Sequence, residues 1–84
     1  MAAPTDVWAF LLGSTNFSLL FDYDGNGNQI YVGWAQPGTL SSSPTWRIMQ
    51  ENYNGSNQQT SVKWPNASTG FAFVWDNRTT YSYS

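Results

Sequence analysis

The chain contains no cysteine and no histidine, and only three of its 84 residues are basic. Without cysteine there are no disulfide staples and no thiol chemistry. Without histidine the usual base for a serine nucleophile is missing, and thiolate–imidazole metal sites go with it. Arg47, Lys63 and Arg78 stand apart in a chain of net charge −2. Three separated cations make no phosphate-tracking stripe, so nucleic acid is not an expected partner. Long apolar runs are missing as well. Val7–Leu12 is the most apolar stretch and falls far short of the ~20 residues that span a bilayer, so no membrane partner is expected. No basic residue precedes that stretch and it is too short for the apolar part of a secretory leader. Use without secretion is the expectation.

Charge is scarce in general, at 10% of residues against about 25% in an ordinary soluble domain. Aromatics are abundant at 18%, with five each of Trp, Tyr and Phe. A chain of this length buries roughly 60–65% of the surface its unfolded form exposes, which leaves a thin core. Small domains offset that with disulfides, a metal or assembly, and here assembly is the route that remains. Interface centres are themselves poor in charge and rich in aromatics. The composition therefore favours a module that spends its surface on other protein chains over one that performs chemistry, and no cofactor is expected.

Turn signals recur at Gly13-Ser14, Asp24-Gly25-Asn26-Gly27, Pro37-Gly38, Asn54-Gly55, Pro65-Asn66 and Asp76-Asn77. Between them lie short alternating runs, the pattern of antiparallel strands. Phe17–Tyr23 and Gln29–Ala35 pair as a hairpin about a turn rich in residues that accept positive φ. Thr45–Asn52 and Gln59–Trp64 form a second hairpin, ended by Pro65, which has no N–H for a ladder. Phe71–Trp75 and Thr79–Tyr83 complete the set. The predicted fold is all-β, about six short antiparallel strands closed as a small sandwich or barrel. Residues 1–16 are read as an N-terminal arm or docking segment and residues 17–84 as a single β domain. The runs read as independent of one another, with no internal repeat, heptad or linker.

Few motifs suggest chemistry. Asp22, Asp24 and Asn26 resemble the opening of a calcium loop, because alternating Asp and Asn can turn oxygens inward and Gly permits the bend. The bidentate Glu such a loop needs is absent, since Gly33 falls at its position, and a hairpin turn explains the same residues without a metal. Asp22, Asp24, Glu51 and Asp76 could supply a carboxylate pair for glycoside hydrolysis, but they sit in expected turns on a module with little room for a cleft. No enzymatic activity is expected. Four Asn-x-Ser/Thr tripeptides, at Asn16, Asn54, Asn66 and Asn77, follow from a composition rich in those residues. Trp34, Trp46 and Trp64 fall in phase with strand alternation and are assigned to the core. The candidate interaction residues are Trp8, Phe10, Tyr31, Tyr53, Trp75, Tyr81 and Tyr83, with Arg78 as a cation able to stack on an aromatic face.

Three stretches in order carry a family resemblance. They are Ile30-Tyr31-Val32-Gly33 with Ala35 and Pro37-Gly38-Thr39; Trp46-Arg47-Ile48; and Val74-Trp75-Asp76-Asn77-Arg78 with Tyr81-Ser82-Tyr83-Ser84. Together they resemble small virion proteins of tailed bacteriophages. The match spans about two thirds of the chain and begins after the N-terminal segment. Around Trp64-Pro65-Asn66 this sequence departs from the small-residue–Gly pattern of that group. The resemblance implies a structural subunit: a capsid cement (decoration) protein, or a head–tail or tail accessory protein. It implies other virion proteins of capsid or tail as partners, several copies in the particle as a homo-oligomer, and residence in the virion after synthesis in the host cytoplasm. It brings no catalytic residues. The alternative from a different class is an adhesin-like module that binds host-surface glycans on exposed Trp and Tyr.

Overall fold

The computed structural model describes residues 16–84. Four strands form one antiparallel sheet: β1 (Ser18–Tyr23), β2 (Gln29–Ala35), β3 (Arg47–Tyr53) and β4 (Gln59–Lys63). They lie in the order β1-β2-β3-β4, a simple meander. The chain is thus mostly β, as its alternating runs predict. The expected six strands are four among the described residues, and the sheet is open.

The two missing strands have a physical explanation. Pro65 has no N–H to continue the β3–β4 ladder, and β4 stops at Lys63. The segment after it pairs only through isolated bridges. Phe73 makes one bridge to Trp46 and Tyr83 makes one to Pro65. Between these bridges Trp75–Thr80 winds as a 3-10 helix. The result is a C-terminal strap, residues 73–84, laid across one face of the sheet.

That face holds the core. Ala35, Trp46, Ile48, Phe73 and Trp75 are buried together, with Leu20, Tyr31, Tyr81 and Tyr83 packed around them. The Trp46 and Trp75 rings meet at 6.2 Å, and Tyr81 meets Phe73 edge-on at 5.1 Å. Gly33 makes room for the strap. A Cβ on it would fall 2.6 Å from Cε3 of Trp75. Trp46 also donates its indole N–H to the Leu40 carbonyl at 2.9 Å, which satisfies the polar end of a buried ring.

The two hairpins are copies of one unit, contrary to the reading of independent runs. Tyr23, Gly25, Gln29, Val32 and Trp34 recur thirty positions later as Tyr53, Gly55, Gln59, Val62 and Trp64. Their turns use the same bonds. Asp24 N–H donates to the Asn28 carbonyl at 2.9 Å, and Asn54 N–H donates to the Gln58 carbonyl at 2.9 Å. The Asp24 Oδ1 accepts the N–H groups of Asn26 and Asn28, and the Asn54 Oδ1 accepts those of Ser56 and Gln58. Gly27 and Asn57 occupy the same position at φ 81° and 60°, and Gly and Asn are the residues that tolerate it. Both ladders also shift register at the same place, leaving Ile30 and Thr60 unpaired. The tips are tied side by side by Asn28 Nδ2 donating to Asn57 Oδ1 at 2.9 Å.

Candidate functional site

Strand alternation puts a second set of side chains on the face away from the strap. Leu19, Phe21 and Tyr23 come from β1, Val32 and Trp34 from β2, Arg47, Met49, Glu51 and Tyr53 from β3, and Val62 from β4. No described segment lies across this face as the strap lies across the other. Phe21 is 46% exposed, Tyr23 55%, Val62 42% and Phe71 43%. Together these large apolar groups, half in water, give one side of the sheet an apolar patch of the kind that marks contact sites.

Arg47 organises one end of the patch. Its guanidinium lies 5.3 Å from the Trp34 ring, 4.9 Å from the Trp64 ring and 6.0 Å from the Phe71 ring. The two Trp rings are stacked at 6.4 Å. Arg47 has no carboxylate partner among the described residues, and its buried Nε has no hydrogen-bond partner there. Phe17 stacks on Phe71 at 5.4 Å beside this cluster. With Gln36, Thr39 and Thr45 these two rings border an open cleft of about 570 Å³. The repeat explains the placement of Trp34 and Trp64, which occupy equivalent positions in the two hairpins. Of the three Trp assigned to the core, Trp46 is buried there, while Trp34 and Trp64 are half-buried on this outer face.

The other end of the patch is polar and closed. Glu51 is buried beneath it. Gln29 Nε2 donates to its Oε1 at 2.7 Å, and Tyr53 Oη and Gln59 Nε2 reach its Oε2 at 3.3 and 3.4 Å. Gln29 and Gln59 are repeat equivalents that approach one carboxylate from both sides. Tyr53 also donates to the Gln29 carbonyl at 2.8 Å. Its phenol pKa is raised, first by burial and then by the Glu51 charge.

The sequence-predicted residues distribute as follows. Trp8 and Phe10 lie outside the described residues, as does nearly all of the 1–16 arm. Trp75, Arg78, Tyr81 and Tyr83 come together in the strap, with Tyr31 of β2 packed against them. Arg78 is fixed there by Asp22 Oδ2, with Nη2 and Nε each at 3.0 Å, by the Trp75 carbonyl at 3.2 Å and by the Trp75 ring at 4.6 Å. Tyr81 Oη accepts the Val74 N–H at 2.9 Å, and Tyr83 Oη donates to the Arg78 carbonyl at 2.7 Å. Among the described members of the set, Tyr53 alone reaches the outer face. Phe21, Tyr23, Arg47 and Phe71 were not singled out by the sequence reading. The signal that could have found them is the repeat, which pairs Trp34 with Trp64 and so marks their common face.

The weak metal candidates part company. Asp22 turns to Arg78 on the strap side. Asp24 caps the turn of its own hairpin, where the N–H groups it accepts hold its carboxyl below the usual range against a smaller opposing effect of burial. Asn26 supplies one of those N–H groups. Among the described residues no three Asp or Glu side chains converge. Asp22, Asp24 and Glu51 are each engaged in contacts that hold the fold. No helix of the described residues is long and apolar enough to cross a membrane. No family model, curated protein or solved structure matches the chain.

Proposed function

We propose that the chain is a non-catalytic docking subunit that buries the outer face of its sheet against a larger protein, and that it does so in the particle of a tailed bacteriophage. The observation that carries the docking half is the asymmetry of the sheet. One face is covered by the chain's own strap, and the other presents Phe21, Tyr23, Val62 and Phe71 around Arg47, which has no carboxylate partner among the described residues. Aromatic rings around an Arg are what binding hot spots are made of. The particle half is supported by the motif resemblance described above. Within a particle the subunit acts as cement, or as a head–tail or tail accessory, and its small charge keeps the cost of desolvation low.

The test is particle fractionation. The chain should co-sediment with purified particles at fixed stoichiometry. Phe21→Thr with Tyr23→Thr keeps strand-forming residues on the exposed face. That variant should stay folded by circular dichroism and lose at least about tenfold in particle occupancy. A chain missing from particles, or a folded variant that docks as before, would overturn the reading.

One observation favours a second reading. The cleft bordered by Phe17, Phe71, Gln36, Thr39 and Thr45 offers aromatic surface beside uncharged hydrogen-bonding groups, the lining that suits a neutral sugar. Retention on immobilised host glycan, reduced by Phe71→Ser and with no particle occupancy, would select it.

A further inference from the structure

The repeat gives the sheet edge a definite acceptor site. Trp46 and Phe73 exchange both backbone hydrogen bonds, at 2.9 and 3.0 Å. Arg47, the next residue, faces Trp34 of β2, so Trp46 turns its backbone to the β4 side. Backbone direction alternates along a strand. Ile48, Gln50 and Asn52 therefore face β4, and Ser61 and Lys63 face them in return. Val62 and Trp64 are left facing outward. Trp64 bears this out, because it exchanges both bonds with Ser84 at 2.9 and 3.0 Å, on the outer edge.

In the first hairpin the equivalent residues Val32 and Trp34 pair with Met49 and Arg47 of β3. Ser82–Ser84 thus stand on β4 as Thr45–Arg47 stand on β2, filling the beginning of the next strand's place. Beyond them the Val62 backbone has no partner among the described residues, and its side chain is 42% exposed. At the opposite edge β1 is paired on one side only among the described residues. By the same alternation Ser18, Leu20 and Asp22 face β2, so Leu19 and Phe21 face outward. By the thirty-residue offset Leu19 is the equivalent of Met49, the residue that pairs with Val32.

We infer that the β4 edge takes up β1 of a second copy of this chain, in the register that β3 takes on β2. Leu19 of the second copy pairs with Val62, Leu20 with Ser61 and Ser18 with Lys63. Phe17 of the second copy lies outside the ladder, as it already does in the single chain, which leaves the place beside Trp64 to Ser84. The Leu19 side chain settles against Val62 on the outer face, repeating the contact of Met49 with Val32. Lys63 of β4 and Asp22 of the second copy's β1 are the charges of the two strands, and they are opposite in sign. The contact is head-to-tail, so it builds a ring or a row, and it continues the outer face from one copy to the next.

Amide hydrogen exchange on the full chain tests this directly and needs no particle, so its outcome is independent of the docking experiment. Exchange at Val62 and at Leu19 should slow together as concentration rises, by about tenfold at ten times the dissociation constant. Mass by light scattering should rise in step. Val62→Pro removes only the outward N–H of an edge position and is compatible with the strand. It should stay monomeric with an unchanged circular dichroism spectrum. Three results would overturn the inference: concentration-independent exchange at both amides, protection of Val62 without Leu19, or a folded Val62→Pro that still assembles. The wild-type exchange data decide the matter even where the proline variant fails to fold.

Discussion

Gly33 is the residue on which the packing of the two layers turns. It sits mid-strand, where glycine is normally unfavourable, and it is buried. Its lack of a Cβ lets the Trp75 ring lie on the sheet, with Cε3 and Cζ3 at 2.6 and 2.8 Å from where that atom would be and Trp46 at 3.2 Å. Neither ring has room to retreat, since each packs against the other at 6.2 Å. Gly33→Ala therefore forces the strap off the sheet, and overpacking of this kind costs about 1–3 kcal/mol. A urea titration should show a lower midpoint with little change in slope, and Trp fluorescence should shift red as Trp75 gains water. An unchanged midpoint would mean that the strap is not seated as described. Arg78 and Asp22 act at the same scale. Their ion pair, about a quarter to a third exposed, contributes mainly by orienting Arg78 under Trp75, because exposed pairs contribute little by themselves.

The hairpin is the unit at the scale of elements, and the repeat supplies its own control experiment. The two turns share a bonding scheme, yet one is capped by Asp24 and the other by Asn54. Asp24 accepts backbone N–H groups best when ionised, so its pKa is lowered in the folded chain from 3.8. The stability this brings is complete above the unfolded value and disappears as pH falls through the folded one. Asp24→Asn should leave melting temperature near neutrality almost unchanged and flatten its decline below pH 4 relative to wild type. Scans at several pH values check this, and parallel acid limbs for the two proteins would refute it. Much of this element scale was legible in the sequence. The β2 range, both hairpins and the stop at Pro65 followed from alternation and turn chemistry, which act locally. The strap was not legible. Phe71, Phe73 and Trp75 alternate as a strand should, but only Phe73 pairs, in one bridge to Trp46, and the buried rings of Phe73 and Trp75 pack on the sheet's face instead of extending a ladder. The repeat was missed because only five positions of the unit are identical, and its meaning lies in backbone bonds that Asp and Asn, or Gly and Asn, make equally well. The strap aromatics are candidate contact residues because Trp and Tyr dominate binding hot spots. Tyr81 and Tyr83 instead spend their hydroxyls on the Val74 N–H and the Arg78 carbonyl.

At the scale of the whole molecule, the two faces of one sheet differ. Its inner face and the strap make the core, and its outer face is the one proposed above to meet a neighbour. A core this thin gives a modest stability, so closure of the strap and folding of the sheet should occur as one transition. Tyr83 lies at the far end of that closure, against Tyr31 at 5.6 Å and bonded to the Arg78 carbonyl at 2.7 Å. Burial, the largest influence, and the neighbouring Tyr31 and Tyr81 push its phenol pKa well above the ordinary 10.0, outweighing the opposing effect of Arg78. In the unfolded chain the phenol loses its proton near 10, while in the folded chain it keeps it. Stability from this group is therefore complete below the unfolded value and lost as pH rises beyond it. Tyr83→Phe removes one hydrogen bond and should cost about 1 kcal/mol near neutrality. The same change abolishes the titration, so the variant should lose less stability than wild type between pH 9 and pH 11. Urea midpoints across that range decide it. If the two proteins decline in parallel, the alkaline limb belongs to other tyrosines and the strap does not close the fold at Tyr83. If their midpoints converge, the C-terminal clamp and the sheet unfold as one unit, and the outer face stays ordered only while the strap is shut.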